Sequence, residues 1–227
     1  LSREQPDVTS HRFVLAKAHL NLSVLMQNTQ RPPHEFHDKA AETLEQLYRE
    51  TPNDDDVIDS LSVLRLNWAY LQEGEGEADA AVADLAKSVE MLQDALAREP
   101  NHTMLRDRLY RTHGVRASIF DNQARFDEWA EEWQRADELC PNPQQADYHR
   151  LNLAMARAQS GQFSQAVAEI EDWNTRAAPD APADQLLHCA RVYCVALKNI
   201  GAVSGSIVEP RDEVVNRYNT RATEVGR

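Results

Sequence analysis

The sequence predicts an all-α chain of stacked helical hairpins, and three observations carry that prediction. Ala, Leu, Glu, Gln and Arg are abundant, and only 7 Gly and 10 Pro interrupt 227 residues, a composition that favours helix. A Pro-Asn pair stands directly behind an amphipathic run three times, at Pro52-Asn53, Pro100-Asn101 and Pro141-Asn142. A small residue recurs as Ser23, Ala69, Ala117, Ala154 and Ala190, at spacings of 46, 48, 37 and 36. Self-similarity at such a period marks a repeat array, in which each hairpin buries its apolar stripe against its neighbours.

The first helix is predicted over 11–29. Its Leu15, Ala18, Leu20, Asn21, Leu22, Ser23 and Leu25 return 46 residues later as Leu61, Leu64, Leu66, Asn67, Trp68, Ala69 and Leu71. Pro32-Pro33 distorts the turn into a partner helix over 34–50. Asp54-Asp55-Asp56 then precedes a helix over 55–73, where carboxylates suit the N-terminal end. Gly74-Glu75-Gly76 reads as a turn into 77–98, whose stripe is Ala78, Ala81, Leu85 and Ser88. The third hairpin pairs 103–122 with 126–139, and Phe126, Trp129, Trp133 and Ala136 supply the second stripe. In the fourth, 144–160 ends at Ser160-Gly161-Gln162, with Gly161 suited to the left-handed residue behind a helix. Phe163, Ala166, Ile170 and Trp173 follow over 163–176. The fifth hairpin pairs 183–199 with 210–226 across a loop at 201–209. One domain over 1–227 is expected, with repeats near 11–52, 55–100, 103–141, 144–178 and 183–227.

Charge and motif content exclude several functions. The formal net charge is −13, which repels nucleic acid. No apolar run is long enough for a membrane span. Cys140, Cys189 and Cys194 make neither an even disulfide set nor a zinc spacing, so reduced and mostly buried thiols in a cytoplasmic protein are expected. The chain opens at Leu1 without a charged-then-apolar leader and reads as a piece of something longer. His34 and His37 share a helix face but lack a third ligand. At Gly74-Glu75-Gly76 the third glycine of a dinucleotide loop is replaced by Asp79, and no strand precedes it. Arg106-Asp107 lacks the preceding His of a kinase catalytic loop, and Thr112 stands where the metal-binding Asn belongs. No catalytic residue, metal or cofactor is expected.

The residues Leu153-Ala154, Gly161-Gln162-Phe163, Ala166 and Ile170, with Ala117, Phe120, Phe126, Trp129, Ala136 and Pro141, resemble the tetratricopeptide repeat (TPR) family. Repeats one and two run about ten residues over the family's usual length of about 34. The resemblance implies a right-handed superhelix of about five hairpins. A narrower likeness is carried by Leu105-Arg106-Asp107-Arg108-Leu109, Arg116-Ala117 and Arg125-Phe126, and by Leu186 through Tyr193. This resembles the arrays behind planctomycete-type bacterial serine/threonine kinase domains, which would place any catalytic domain outside this chain.

In the resembled family peptides lie along the first helices. The positions so implied are Lys17, Asn21 and Val24, then Asn67 and Tyr70, then Arg108, Arg111 and Ser118, then Asn152 and Met155. The three Asn amides share a repeat position and either grip an extended peptide backbone or bond a neighbouring helix. Arg106, Arg108, Arg111 and Arg116 either receive an acidic or phosphorylated segment or pair with nearby Asp and Glu. The family's clamp for acidic C-termini is departed from at Leu20 and Val24. Trp129 and Trp133 have the spacing of core residues. A protein- or peptide-binding scaffold is therefore expected. Self-association through an uncapped array end near Val225-Gly226-Arg227, or reception of a small signalling peptide, are the alternatives.

Overall fold

The computed structural model describes residues 6–140, 142–176 and 183–200. These form α1 (Pro6–Asn28), α2 (His34–Glu50), α3 (Asp55–Gly74), α4 (Ala78–Arg98), α5 (Thr103–Asn122), α6 (Phe126–Leu139), α7 (Pro143–Gln159), α8 (Phe163–Arg176) and α9 (Ala183–Ile200). No strand occurs among the described residues, and none of their helices is long and apolar enough to cross a membrane. Helices two to nine begin and end within a residue of the predicted bounds, whereas α1 starts five residues before the expected 11. Pro141, the loop at 201–209 and the helix expected over 210–226 lie outside the described residues. The chain divides into two compact units between Val115 and Arg116, within α5.

In the first unit α1 packs on α2, α2 on α3, and α3 on α4. Apolar side chains at helical spacing build its core: Leu44 and Leu47 of α2, Ile58, Leu61 and Leu64 of α3, and Leu85 and Leu92 of α4 are buried. The acidic run before α3 is a helix cap. Asp54 Oδ1 accepts from the amides of Asp56 at 3.1 Å and Val57 at 3.3 Å, satisfying N–H groups that have no carbonyl one turn earlier. In the second unit α7 is central, packing on α6, α8 and α9. Ala154 and Ala158 have no exposed surface, and small side chains there let three helices approach one. Trp129 and Trp133 of α6 and Trp173 of α8 fill the spaces between.

One motif closes each of the four hairpins α1–α2, α3–α4, α5–α6 and α7–α8. The amides of Arg31, Glu77, Arg125 and Gln162 reach back to the carbonyls of Met26, Gln72, Phe120 and Arg157 at 2.7–2.9 Å. One residue earlier stands a left-handed residue: Gln30, Gly76, Ala124 and Gly161, with φ of 56°, 84°, 55° and 88°. This is the Schellman ending of a helix, and glycine adopts it without a Cβ clash. Its spacing equals that of the small residues, because each left-handed residue follows Ser23, Ala69, Ala117 or Ala154 by seven positions. Those four small residues are buried, while Ala190 is half-buried.

The cysteines are free, but only Cys189 is fully buried; Cys140 is half-buried and Cys194 is exposed. Burial pushes the Cys189 thiol up to about 12, so it stays protonated and inert. Cys194 lies five positions on and turns to the opposite side of α9, which corrects the expectation of mostly buried thiols.

Candidate peptide-binding face

Within the first unit, α1, α3 and the start of α5 carry seven of the ten residues implied as contacts. Lys17 and Asn21 are exposed and Val24 is half-buried on α1. On α3, Asn67 is half-buried and Tyr70 is 52% exposed. Tyr70 and Arg111 come within electrostatic reach across two helices. Partial burial raises the Tyr70 phenol, Glu73 adds to the rise, and the Arg111 guanidinium opposes it. An exposed aromatic beside an exposed Arg offers a ring face and a fork of donors to a passing chain.

The two arginines are engaged within the protein. Arg108 Nε donates to Asp59 Oδ1 of α3 at 2.8 Å, with both side chains mostly covered. Arg111 Nε donates to Asp107 Oδ2 at 2.7 Å, one turn away on the surface. The first pair ties α5 to α3. The second is an exposed pair of the kind worth well under about 1 kcal/mol, so an incoming carboxylate can displace Asp107 at little cost.

The second unit places its three candidates differently. Ser118 is exposed, whereas Asn152 and Met155 are buried at 9% and 8% exposure. The Asn152 amide donates to the Tyr148 carbonyl of its own helix at 2.7 Å. Asn152 thus bonds its own α7 rather than presenting its amide outward. Nearby is a cavity of about 490 Å³ lined by Asp137, Arg150, Leu153, Glu169 and Asp172. Arg157 pairs with Glu169, and Arg150 lies 3.6 Å from Asp137. Three carboxylates face one guanidinium in that lining, a field that favours a cation over an anion.

Two clusters had no signal in local spacing, because each joins helices far apart in sequence. The His37 ring stacks on Trp68 at 3.6 Å and 13°, and His34 meets the same indole edge-on at 5.1 Å. The histidine pair therefore covers an indole instead of standing free in solvent. The second cluster brings Asp55, Glu99 and His102 together, with one ligand atom from each within 4.8 Å of the others. His102 Nδ1 accepts from the Leu105 amide at 3.4 Å, and Nε2 lies 3.3 Å from Asp55. That assigns the proton of neutral His102 to Nε2, which donates to the carboxylate. A metal on Nε2 would move that proton to Nδ1, against the Leu105 N–H. The arrangement is a helix cap tethered to α3.

Two histidines stacked on indoles make stability depend on pH. Burial lowers His37 below 6.5, opposed by Asp38 and Asp84 and assisted by His34. Burial likewise lowers His149, which stacks on Trp133 at 5.2 Å, with Asp137 opposing. A histidine with a depressed folded pKa binds its proton more readily in the unfolded chain. Its contribution is complete above the unfolded value of about 6.5 and is lost as pH falls from there through the lower folded value. Urea midpoints are expected to fall between pH 7.5 and 5.0 by equilibrium unfolding, and to fall less steeply in His37→Phe, which keeps the stack. Glu35, Glu50 and Glu128, lowered by Lys39, Arg12 and Arg125 respectively, act only at lower pH.

No protein-family model matches this chain, and no curated protein matches it in sequence. Among solved structures it is similar to a protein of nearly identical TPR-like repeats assigned as a kinesin light chain from Podospora anserina. Identity there is 16%, the TM-score 0.56, and 94% of this chain covers 97% of that one. It is also similar to MamA of strain AMB-1, at 17% identity, TM-score 0.43 and coverage of 93% and 99%. A third likeness is to PilW, a type IV pilus biogenesis factor, at 13% identity, TM-score 0.37 and coverage of 92% for each chain. Of these three the first alone exceeds 0.5, and with the repeated hairpin turns it identifies the fold as a TPR-like helical-hairpin solenoid.

Proposed function

We propose that this chain is a non-catalytic scaffold that binds a protein or an extended peptide along the first helices of its hairpins. The supporting observation is the Tyr70–Arg111 pair: an aromatic ring 52% exposed, within reach of an Arg held only by a surface ion pair. Asn21 and Lys17 extend that face on α1, and Asn67 extends it on α3. Arg108 positions α5 through Asp59 and leaves recognition to Arg111. The fitting partner is an acidic or phosphorylated segment, received by a guanidinium that is easily released from Asp107. The chain would then serve as the cytoplasmic interaction arm of a larger bacterial signalling protein, such as one with a serine/threonine kinase domain. The basis for that context is the Leu105–Leu109 and Leu186–Tyr193 sequence likeness.

The test is fluorescence polarisation with acidic and phosphorylated peptides selected from a random array. Tyr70→Ala with Arg111→Glu is expected to weaken the best binder about tenfold or more, the loss of roughly 1.4 kcal/mol or more, at unchanged helicity. Equal affinity for wild type and variant would move binding off this face.

A further inference from the structure

The repeat register exposes a surface that α1 shares with an interior helix and leaves uncovered. Leu15, Ala18, Leu22 and Leu25 correspond, 46 residues on, to Leu61, Leu64, Trp68 and Leu71. In α3 this face lies against α2: Arg65 pairs with Glu45, and Trp68 carries His37. Leu61 and Leu64 are accordingly buried, and Leu71 is half-buried. In α1 the equivalent Leu15 is 54% exposed, Leu22 39% and Leu25 57%, with Val8 and Val14 exposed beside them. Ala16, Leu20 and Ser23 already bury the opposite face. A helix apolar on both faces is built to be covered on both.

Val8, His11, Leu15, Ala18, Leu22 and Leu25 follow one another at spacings of 3, 4, 3, 4 and 3, the seam of a two-helix coiled coil. We propose that this seam pairs with the same seam of a second copy, antiparallel, to form a two-fold symmetric dimer. The side chains choose the direction. Run antiparallel, Val8 meets Leu25 of the second copy, His11 meets Leu22, and Leu15 meets Ala18, so the one small residue of the seam is filled by a large one and no histidine faces its own copy. Run parallel, His11 would face His11 and Ala18 would face Ala18, leaving a like pair and a gap. Charge permits the approach. The chain holds 37 Asp and Glu, yet none falls between Val8 and Asn28. Of the two cations there, Arg12 is engaged by Glu50 at 2.7 Å, and Lys17 lies off the seam. Such a pairing is isologous and closes on itself.

The seam from Val8 to Leu25 is about 26 Å long at 1.5 Å per residue. Its area lies at or below the roughly 1,200 Å² lower bound of stable interfaces, which marks the dimer as a reversible one, to be sought at ~1–100 μM. Sedimentation equilibrium of the full chain across that range is expected to show monomer passing to dimer. Leu15→Glu with Leu22→Glu should remain monomeric throughout at unchanged circular dichroism, since both side chains are solvent-facing in the monomer. Leu15→Glu with Ala18→Lys tests direction, because antiparallel pairing sets the new carboxylate of each copy against the new ammonium of the other. That variant is expected to regain the dimer that Leu15→Glu alone loses. A wild type monomeric at the highest concentration would overturn the proposal, as would a dimer indifferent to the Leu15 and Leu22 substitutions. Failure of the charge pair to restore association would overturn the antiparallel direction.

Discussion

Arg116→Ala is expected to lower the free energy of unfolding by about 3 kcal/mol, read as a shift in urea midpoint at unchanged slope. Glu132 is almost fully buried, its side chain only 3% exposed, and Arg116 Nη1 lies 3.2 Å from its Oε1 with little exposure of its own. The pair joins α5 to α6 inside the second unit. Removing the guanidinium takes from a buried carboxylate a close counter-charge that water cannot easily replace, and the desolvation cost of that charge dominates. Arg135 approaches the same oxygen at 3.4 Å from a half-exposed position, which holds the loss to the lower end of the range for broken buried pairs. Arg116 also lies 5.8 Å above the Phe120 ring, a smaller contribution. A double replacement, Arg116→Met with Glu132→Met, should return most of the stability, because an apolar pair of similar volume carries no buried charge. The double-mutant cycle then gives a coupling of the same order as the single loss. Coupling near zero would mean that the pair is solvated.

Trp173→Ala is the second large effect, about 3–4 kcal/mol by the same measurement. The indole is 2% exposed on α8 beside Ile170 and Val167, which are also buried. Truncation removes the largest side chain of that stripe and leaves a cavity that the packed helices α7 and α9 cannot fully collapse into. One feature tempers the loss: Trp173 Nε1 finds no acceptor among the described residues. The variant therefore also relieves an unpaired buried N–H, which offsets about 1 kcal/mol or more of what a fully satisfied Trp would lose. Trp173→Phe separates the two contributions, keeping most of the ring and removing the N–H. It should cost less than about 1.5 kcal/mol. A Phe variant as damaged as the Ala variant would show that Nε1 is bonded after all.

Where the sequence could be read and where it could not follow from what each feature depends on. Helix bounds were legible because caps, breakers and stripes are local: Asp54, Gly76, Gly161 and the Phe163-Ala166-Ile170-Trp173 series act within a turn or two of themselves. α1 starts at Pro6, ahead of the expected 11, because proline opens a helix as readily as it breaks one. Gln30 and Ala124 hid two of the four left-handed turns, since neither is the residue type that marks them. Side-chain partnerships between helices were invisible. Nothing near Trp68 announces His37, and nothing near Asp55 announces His102. Among the contact positions, first-helix register placed Tyr70 and Arg111 on the surface, but the same register put Asn152 and Met155 in the core. α7 is surrounded by α6, α8 and α9, whereas α1 has an open side.

The hairpin turns also constrain how this chain can change length. In the four closed hairpins the distance from Ser23, Ala69, Ala117 or Ala154 to its left-handed residue is always seven, so variation there is confined to the helix ends farther away. There it comes in steps. The second helices α4 and α6 have 21 and 14 residues, a difference of seven, or nearly two turns at about 3.6 residues per turn. The first helices α5 and α7 have 20 and 17, a difference of three, close to one turn. Adding seven residues leaves an apolar stripe within about 20° of its former bearing, whereas adding two swings it by about 200° toward water. Insertions into this array are therefore quantised by the pitch of the helix, and an odd half-turn is the lesion it could not absorb.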